Sequence, residues 1–255
     1  MGLDVYAGTL TRYYSGNWKT RAQQWAEKNG YEFSKVTPEG EEVGDAKDLD
    51  PAKIEDAVCA WRNFIVSELD EKREGTFVLW EENNTKEYFT DKPDWEAYGA
   101  LILYAASKIY DEPLQAQVKN NWDFSSHPLI KKALKDPQYK WGIFKGATMW
   151  IPESDSIVFI GPTPSEDKTT VSTTQALEEE LAMINERGWD ASEEEILSWR
   201  DTEGYPKEAT DEEDIKSVNA NMFYDTESLA KFAYSIMYSA AKYAQENNVP
   251  ILFDY

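Results

Sequence analysis

The chain has 255 residues, 48 acidic against 26 basic side chains, and a formal net charge of −22. A surface of that sign repels phosphate backbones and anionic lipid heads, which argues against direct nucleic-acid or membrane binding and favours a basic protein partner. With 41% hydrophobic and 14% aromatic residues, the chain is too apolar for a disordered acidic tail and long enough to bury a substantial core.

Residues 3–10, LDVYAGTL, read as a strand with Leu3, Val5 and Ala7 on one face. A turn at YSGNW leads into a helix over 18–29, with Trp18, Ala22, Trp25 and Ala26 on one stripe and Gly30 as its stop. YEFSKV (31–36) alternates like a strand, and the Pro, two Gly and many acids of 37–49 predict a loop. Asp50 is placed as an N-cap and Pro51 as the first helical residue, where its missing N–H costs nothing. Ile54, Val58, Trp61, Ile65 and Leu69 then form an amphipathic stripe running to about residue 72.

TFVLWEENNTKEYF (76–89) predicts two strands around ENNT, a hairpin. Pro93 opens a helix to about residue 110, and its apolar middle YGALILYAASKIY marks it as central and buried. A short helix is expected at 127–135. WGIFKGATMWIPESDSIVFIG (141–161) reads as three short strands whose brief connections predict antiparallel pairing. After a Pro/Ser/Thr-rich link, Thr174 is expected to cap a helix over 175–187, stopped by Gly188. Ser192 and Glu195 form a capping-box pattern for 193–201. An acidic loop over 201–224 precedes a helix over 227–246, whose Ala233, Ser239, Ala240 and Ala244 suggest close packing. VPILFDY closes as a strand, expected beside the first one. Interleaved helices and antiparallel strands define an α+β class, and the absence of repeats or long linkers favours one compact domain over 1–255.

No nucleophile elbow, Walker A loop, dinucleotide-binding glycine pattern, zinc-protease motif or Cys-x-x-Cys occurs, so no cofactor or metal is implied. The lone histidine, His127, precedes Pro128 at a helix start, where capping explains it better than catalysis. Cys59 is the only cysteine, so no intramolecular disulfide forms; no cation pattern lowers its pKa, and a structural thiol is expected. With no leader at the start and no apolar run of membrane-span length, the expected location is the cytoplasm. The acidic runs Glu178–Glu180, Glu193–Glu195 and Asp211–Asp214 are expected to be solvated, the first two in helix first turns. A carboxylate hydrolase acting on a sugar or other neutral polar ligand is an alternative. Its best candidate is LWEEN (Trp80, Glu81, Glu82) at a strand end, with Asp155 in PESDS placed to oppose Glu81.

The first strand ends in Arg12, Tyr13, Tyr14 and Trp18, residue types enriched at interface hot spots; packing of a helix onto the sheet, with Arg12 paired to an acid, is the simpler reading. The opening MGLDVYAGTLTRYYSGNW resembles that of uncharacterised bacterial proteins which begin M-G-L-D-V-Y and continue T-R-Y-Y. That resemblance spans under a tenth of the chain and implies a bacterial, cytoplasmic origin with no activity attached. In general character the chain is similar to acidic bacterial immunity or inhibitor proteins, which implies a basic partner such as a toxin. The expected binding residues are Arg12, Tyr13, Tyr14, Trp18, Trp80, Glu194, Trp199, Asp211 and Glu212, and the candidate epitope is one or more of the acidic segments 40–50, 193–203 and 208–214. A structural or regulatory subunit is a third reading.

Overall fold

The computed structural model describes residues 2–31, 35–37, 40–42, 50–70, 79–206 and 222–255. Strand β1 (Asp4–Ala7) leads to a short helix α1 (Leu10–Tyr14) and to α2 (Arg21–Lys28). Next come β2 (Lys35–Thr37), β3 (Gly40–Glu42), α3 (Pro51–Asp70), β4 (Phe89–Asp91) and α4 (Asp94–Tyr110). Strand β5 (Gln117–Lys119), a 3-10 turn (Phe124–Ser126) and α5 (Pro128–Lys135) follow. The remainder is β6 (Ala147–Ile151), β7 (Val158–Pro162), β8 (Lys168–Thr173), α6 (Thr174–Arg187), α7 (Glu193–Thr202), β9 (Phe223–Asp225), α8 (Thr226–Asn247) and β10 (Ile251–Asp254). The class is α+β, built on a mixed six-stranded sheet in the order β4-β1-β10-β6-β8-β7.

As the sequence predicts, the first and last strands pair: β1 runs antiparallel to β10, with Asp4 opposite Asp254 and Ala7 opposite Ile251. Both strands lie inside the sheet, so both of their faces need cover. Leu3, Val5, Ala7, Trp150, Ile251 and Phe253 enter one core with α4, α6 and α8. Tyr6, Leu252, Met149, Ile151 and Val171 enter the other with Leu10, Trp80 and the α3 stripe Val58, Trp61, Ile65 and Leu69. Helix α4 is buried without a break from Ala97 to Ser107. The close approach of the 3-10 turn to it requires Gly99, where a Cβ would sit 2.6 Å from the Phe124 ring.

Leu10–Tyr14, expected as the end of the first strand, is the helix α1, and Gly40–Glu42, expected in a loop, is strand β3 paired with β2. Three further expectations are corrected. The hairpin over 76–89 does not form among the described residues; only Phe89–Asp91 is a strand, and it pairs with β1. Several carbonyls within 79–88 accept from side chains instead. Thr9 donates to the Asn83 carbonyl (2.6 Å), and Arg12 donates to those of Lys86 (2.6 Å) and Asn17 (2.6 Å). Residues 141–161 contain two strands, not three, because 142–146 is a turn with Gly146 at φ +70°. The third correction is topological. Strand β8, read as a link from its Ser and Thr content, inserts between β6 and β7, parallel to β6 and antiparallel to β7. A short connection limits reach rather than adjacency: six residues span well beyond two strand spacings of about 4.8 Å each. The β6–β7 connection is held by Thr173, which donates to the Asp155 carbonyl (2.6 Å), and by Ser172, which donates to that of Ile157 (3.2 Å). The cap of α6 shifts by one residue, to Thr173 from Thr174, Asp225 caps α8, and the Ser192–Glu195 box closes as predicted.

Glu82 fixes the start of α1 from inside the core. Its carboxylate accepts from the backbone N–H of Leu10 (3.2 Å) and Thr11 (2.8 Å) and from Trp80 Nε1 (2.7 Å); burial still pushes its pKa up. Glu82→Ala leaves three buried donors without an acceptor, and chemical denaturation is expected to show a loss of about 3 kcal/mol.

Candidate protein-binding groove

Helices α6 and α7 are joined by a tight link that the Asn185 side chain closes by gripping Ala191. Its Nδ2 donates to the Ala191 carbonyl (2.8 Å) and its Oδ1 accepts from the Ala191 N–H (3.0 Å). Helix α8 packs beneath both, tied to α6 by the Tyr234 hydroxyl donating to the Leu181 carbonyl (2.8 Å). Trp189, in the link, stacks on Tyr104 with centroids 4.0 Å apart and meets Trp199 and Tyr234 edge-on, so an aromatic pillar holds the three helices in place.

Between them lies a groove of ≈ 490 Å³. Its floor is apolar: Leu181, Ile196, Tyr234 and Ala241 are buried, and Tyr238 is half-buried. Its rim carries four carboxylates, Glu178, Glu186, Glu193 and Glu246, against one cation, Lys242. Lys242 is paired with Glu193 across the α7–α8 boundary, which raises its pKa. Burial raises the pKa of Glu178, although Gln245 donates to it at 2.7 Å. Glu194, one residue beyond Glu193, is exposed on the same helix. An apolar aromatic floor with an anionic rim suits a side chain that is apolar along its length and cationic at its tip, as Lys and Arg are.

The other predicted residues are placed elsewhere. Among the described residues Arg12 meets no acid: its guanidinium donates to carbonyls and lies 4.5 Å over the Tyr88 ring. Trp18 stacks on Tyr13 (5.4 Å) and meets Tyr6 edge-on (5.0 Å), so the RYY…W run chiefly packs α1 onto the sheet. Tyr13 and Tyr14 also line a polar cleft of ≈ 340 Å³ with Thr163, Ser165, Asp167 and Asp254. Trp80 (1% exposed) and Trp199 (8%) present no ring face to solvent; the first donates to Glu82 and the second lies under Lys231. Asp211 and Glu212, the Asp211–Asp214 run and most of the acidic segments 40–50 and 208–214 lie outside the described residues. Glu81 and Asp155 are exposed on separate segments, and neither lines the Tyr13–Tyr14 cleft. His127 caps α5, its Nδ1 accepting from Leu129 N–H (3.2 Å).

One acidic run is corrected. Glu180 is not solvated but 4% exposed, and it accepts from the Gly142 N–H (2.5 Å) and the Ile143 N–H (3.2 Å); burial pushes its pKa up to about 8. A helix-period count over 177–184 puts Glu180 on the side of Leu177, Leu181 and Ile184, so periodicity carried the signal. Among the described residues, no group of three or more His, Cys, Asp or Glu is placed to hold a metal ion, and no helix is long and apolar enough to cross a membrane. The chain matches no protein-family model, no curated protein and no solved structure.

Asp4 lies cross-strand from Asp254, which accepts a hydrogen bond from the Tyr13 hydroxyl (2.7 Å). Burial first, opposed by Lys92 and reinforced by Asp254, pushes the Asp4 pKa up to about 6. The folded state therefore holds this proton more tightly than the unfolded chain, so the Asp4 contribution to stability falls as pH rises through 4 to 6. Asp4→Asn is expected to raise the melting temperature at pH 7 by about 1–2 °C and to flatten the profile between pH 4 and 6, as read by calorimetry.

Proposed function

We propose that this chain is a binding module of the immunity or inhibitor type, which engages a basic protein through the α6–α7–α8 groove. The observation that carries the reading is the rim: four carboxylates and a single, already paired lysine around a floor of Leu181, Ile196 and two tyrosines. A net charge of −22 adds long-range attraction for a cationic partner, raising encounter rates by about 10–10³-fold at low salt. The exposed Ala182 and the half-buried Ala191 keep the groove open, so a partner's Lys or Arg stem reaches the tyrosines while its charged end meets Glu186 or Glu246. Anionic surfaces of this type cover the cationic grooves that nucleases use for their substrates, and such a toxin is the kind of partner the chemistry fits.

The test compares two charge reversals of equal size. Glu186→Lys with Glu246→Lys alters the rim, while Glu55→Lys with Asp56→Lys alters α3 on the other side of the sheet. Association with a basic partner recovered from the native host is measured by surface plasmon resonance in 50 and 300 mM salt. The expected result is an association rate falling at least about 10-fold with salt, and binding lost in the rim variant but kept in the α3 variant. Equal losses in both variants, or binding indifferent to salt, overturn the reading.

A further inference from the structure

The polar cleft of ≈ 340 Å³ beside Tyr13 and Tyr14 shares no residue with the groove, and it opens where the main sheet parts. The β10–β6 ladder ends at Leu252–Met149, while β1 follows β10 on to Asp254. On the other side of β6, the step from Ala147 to Met149 is matched on β8 by the single step from Thr170 to Val171, so Thr148 is the extra residue of a bulge. Bulges break pairing, re-aim side chains and recur beside sites. The cleft's polar groups are only partly spent. Asp254 accepts from the Tyr13 hydroxyl through Oδ1 (2.7 Å), and Asp167 accepts from Ser165 through Oδ2 (3.3 Å). Among the described residues, the second oxygen of each carboxylate accepts no hydrogen bond and exposed Lys168 makes no ion pair. Two bonded hydroxyl pairs share the lining, Thr163 with Ser165 (2.8 Å) and Thr148 with Thr169 (2.5 Å). Tyr255 adds a ring that meets Trp95 at 5.2 Å and stays 63% exposed.

We propose that this cleft binds a neutral mono- or disaccharide, its hydroxyls shared between Asp167, Asp254 and Lys168 and one face of a sugar ring laid against Tyr255. The wall offers anionic acceptors and a cationic donor together. A ligand that answers both has to donate and to accept, which every sugar hydroxyl does. An anion meets two carboxylates, and a cation meets the free ammonium of Lys168; either one strips water from a charge without giving it a partner. A zwitterion answers the charges and leaves Tyr255 unused, whereas the C–H face of a pyranose suits the electron-rich face of that ring. The volume lies near the lower end of the roughly 300–1,000 Å³ of ligand pockets, which sets the limit at a disaccharide.

Methyl β-D-glucopyranoside, methyl β-D-galactopyranoside and cellobiose are the sugar probes, with glycine as the zwitterion and spermidine as the cation. Each is titrated into the full chain and followed by the amide NMR shifts of Ser165, Asp167, Lys168, Thr169 and Tyr255. At least one sugar is expected to bind saturably with a Kd of about 1–10 mM, held within about 2-fold between low and moderate salt because the ligand is uncharged. Tyr255→Ala should weaken that sugar about 5-fold, while Tyr255→Phe, which keeps the ring, stays within about 2-fold. Asp167→Asn should weaken it about 5-fold through the loss of a charged acceptor. Both side chains are exposed, so these variants leave the core untouched. No saturable shift with any of the sugars at about 50 mM, tighter binding of glycine or spermidine than of every sugar, or sugar binding that Tyr255→Ala leaves unchanged, overturns the proposal.

Discussion

The pairing of β1 with β10 sets the conditions that every other part of the molecule meets. Two strands from opposite ends of the chain lie side by side inside the sheet, so their side chains are buried above and below. Val5 and Phe253 point to one core, Tyr6 and Leu252 to the other. Helices are therefore needed on both faces, and α4 with α8 on one side and α3 with α1 on the other supply them. The groove lies on the α8 side of the sheet, between α6, α7 and α8.

A chain this acidic places some of its charge inside. Glu82 and Glu180 each accept from two successive backbone N–H groups, one at the start of α1 and the other in the turn before β6. Asp91, equally buried, bridges Arg200 (2.6 Å) and Arg21 (3.2 Å) and so links β4 to α7 and α2. Glu82 and Glu180 serve irregular backbone that no ladder satisfies, whereas Asp91 serves arginine side chains. On the groove rim the duty is between helices instead: Glu193 pairs with Lys242 and Glu178 accepts from Gln245, both of α8.

Much of the architecture was legible because it rests on local rules. The Asp50–Pro51 start, the Ile54–Leu69 stripe, the Ser192–Glu195 box and the apolar middle of α4 each produced the element they predict. What was not legible depends on distant partners. Nothing in TFVLWEENNTKEYF shows that its carbonyls are claimed by Thr9 and Arg12, and nothing in KTTVST marks it as an inner strand, since Thr and Ser there hydrogen-bond a crossing loop. The acidic segment 193–203 does contribute Glu193 and Ile196 to the groove, but its tryptophan faces inward. The opposing tyrosines, Tyr234 and Tyr238, come from a helix whose small residues had drawn notice instead. A groove between three helices is a tertiary object, and no single segment encodes it.

The insertion of β8 has a kinetic side. Strands β6 and β7 run antiparallel with six residues between them, which is also the description of a local hairpin, and hairpins close within about 1–10 μs. The native arrangement keeps them one strand apart, with β8 hydrogen-bonded to both. Any early β6–β7 hairpin is a mispaired competitor that has to reopen before Lys168–Thr173 can enter, so refolding of this half of the sheet carries a built-in detour.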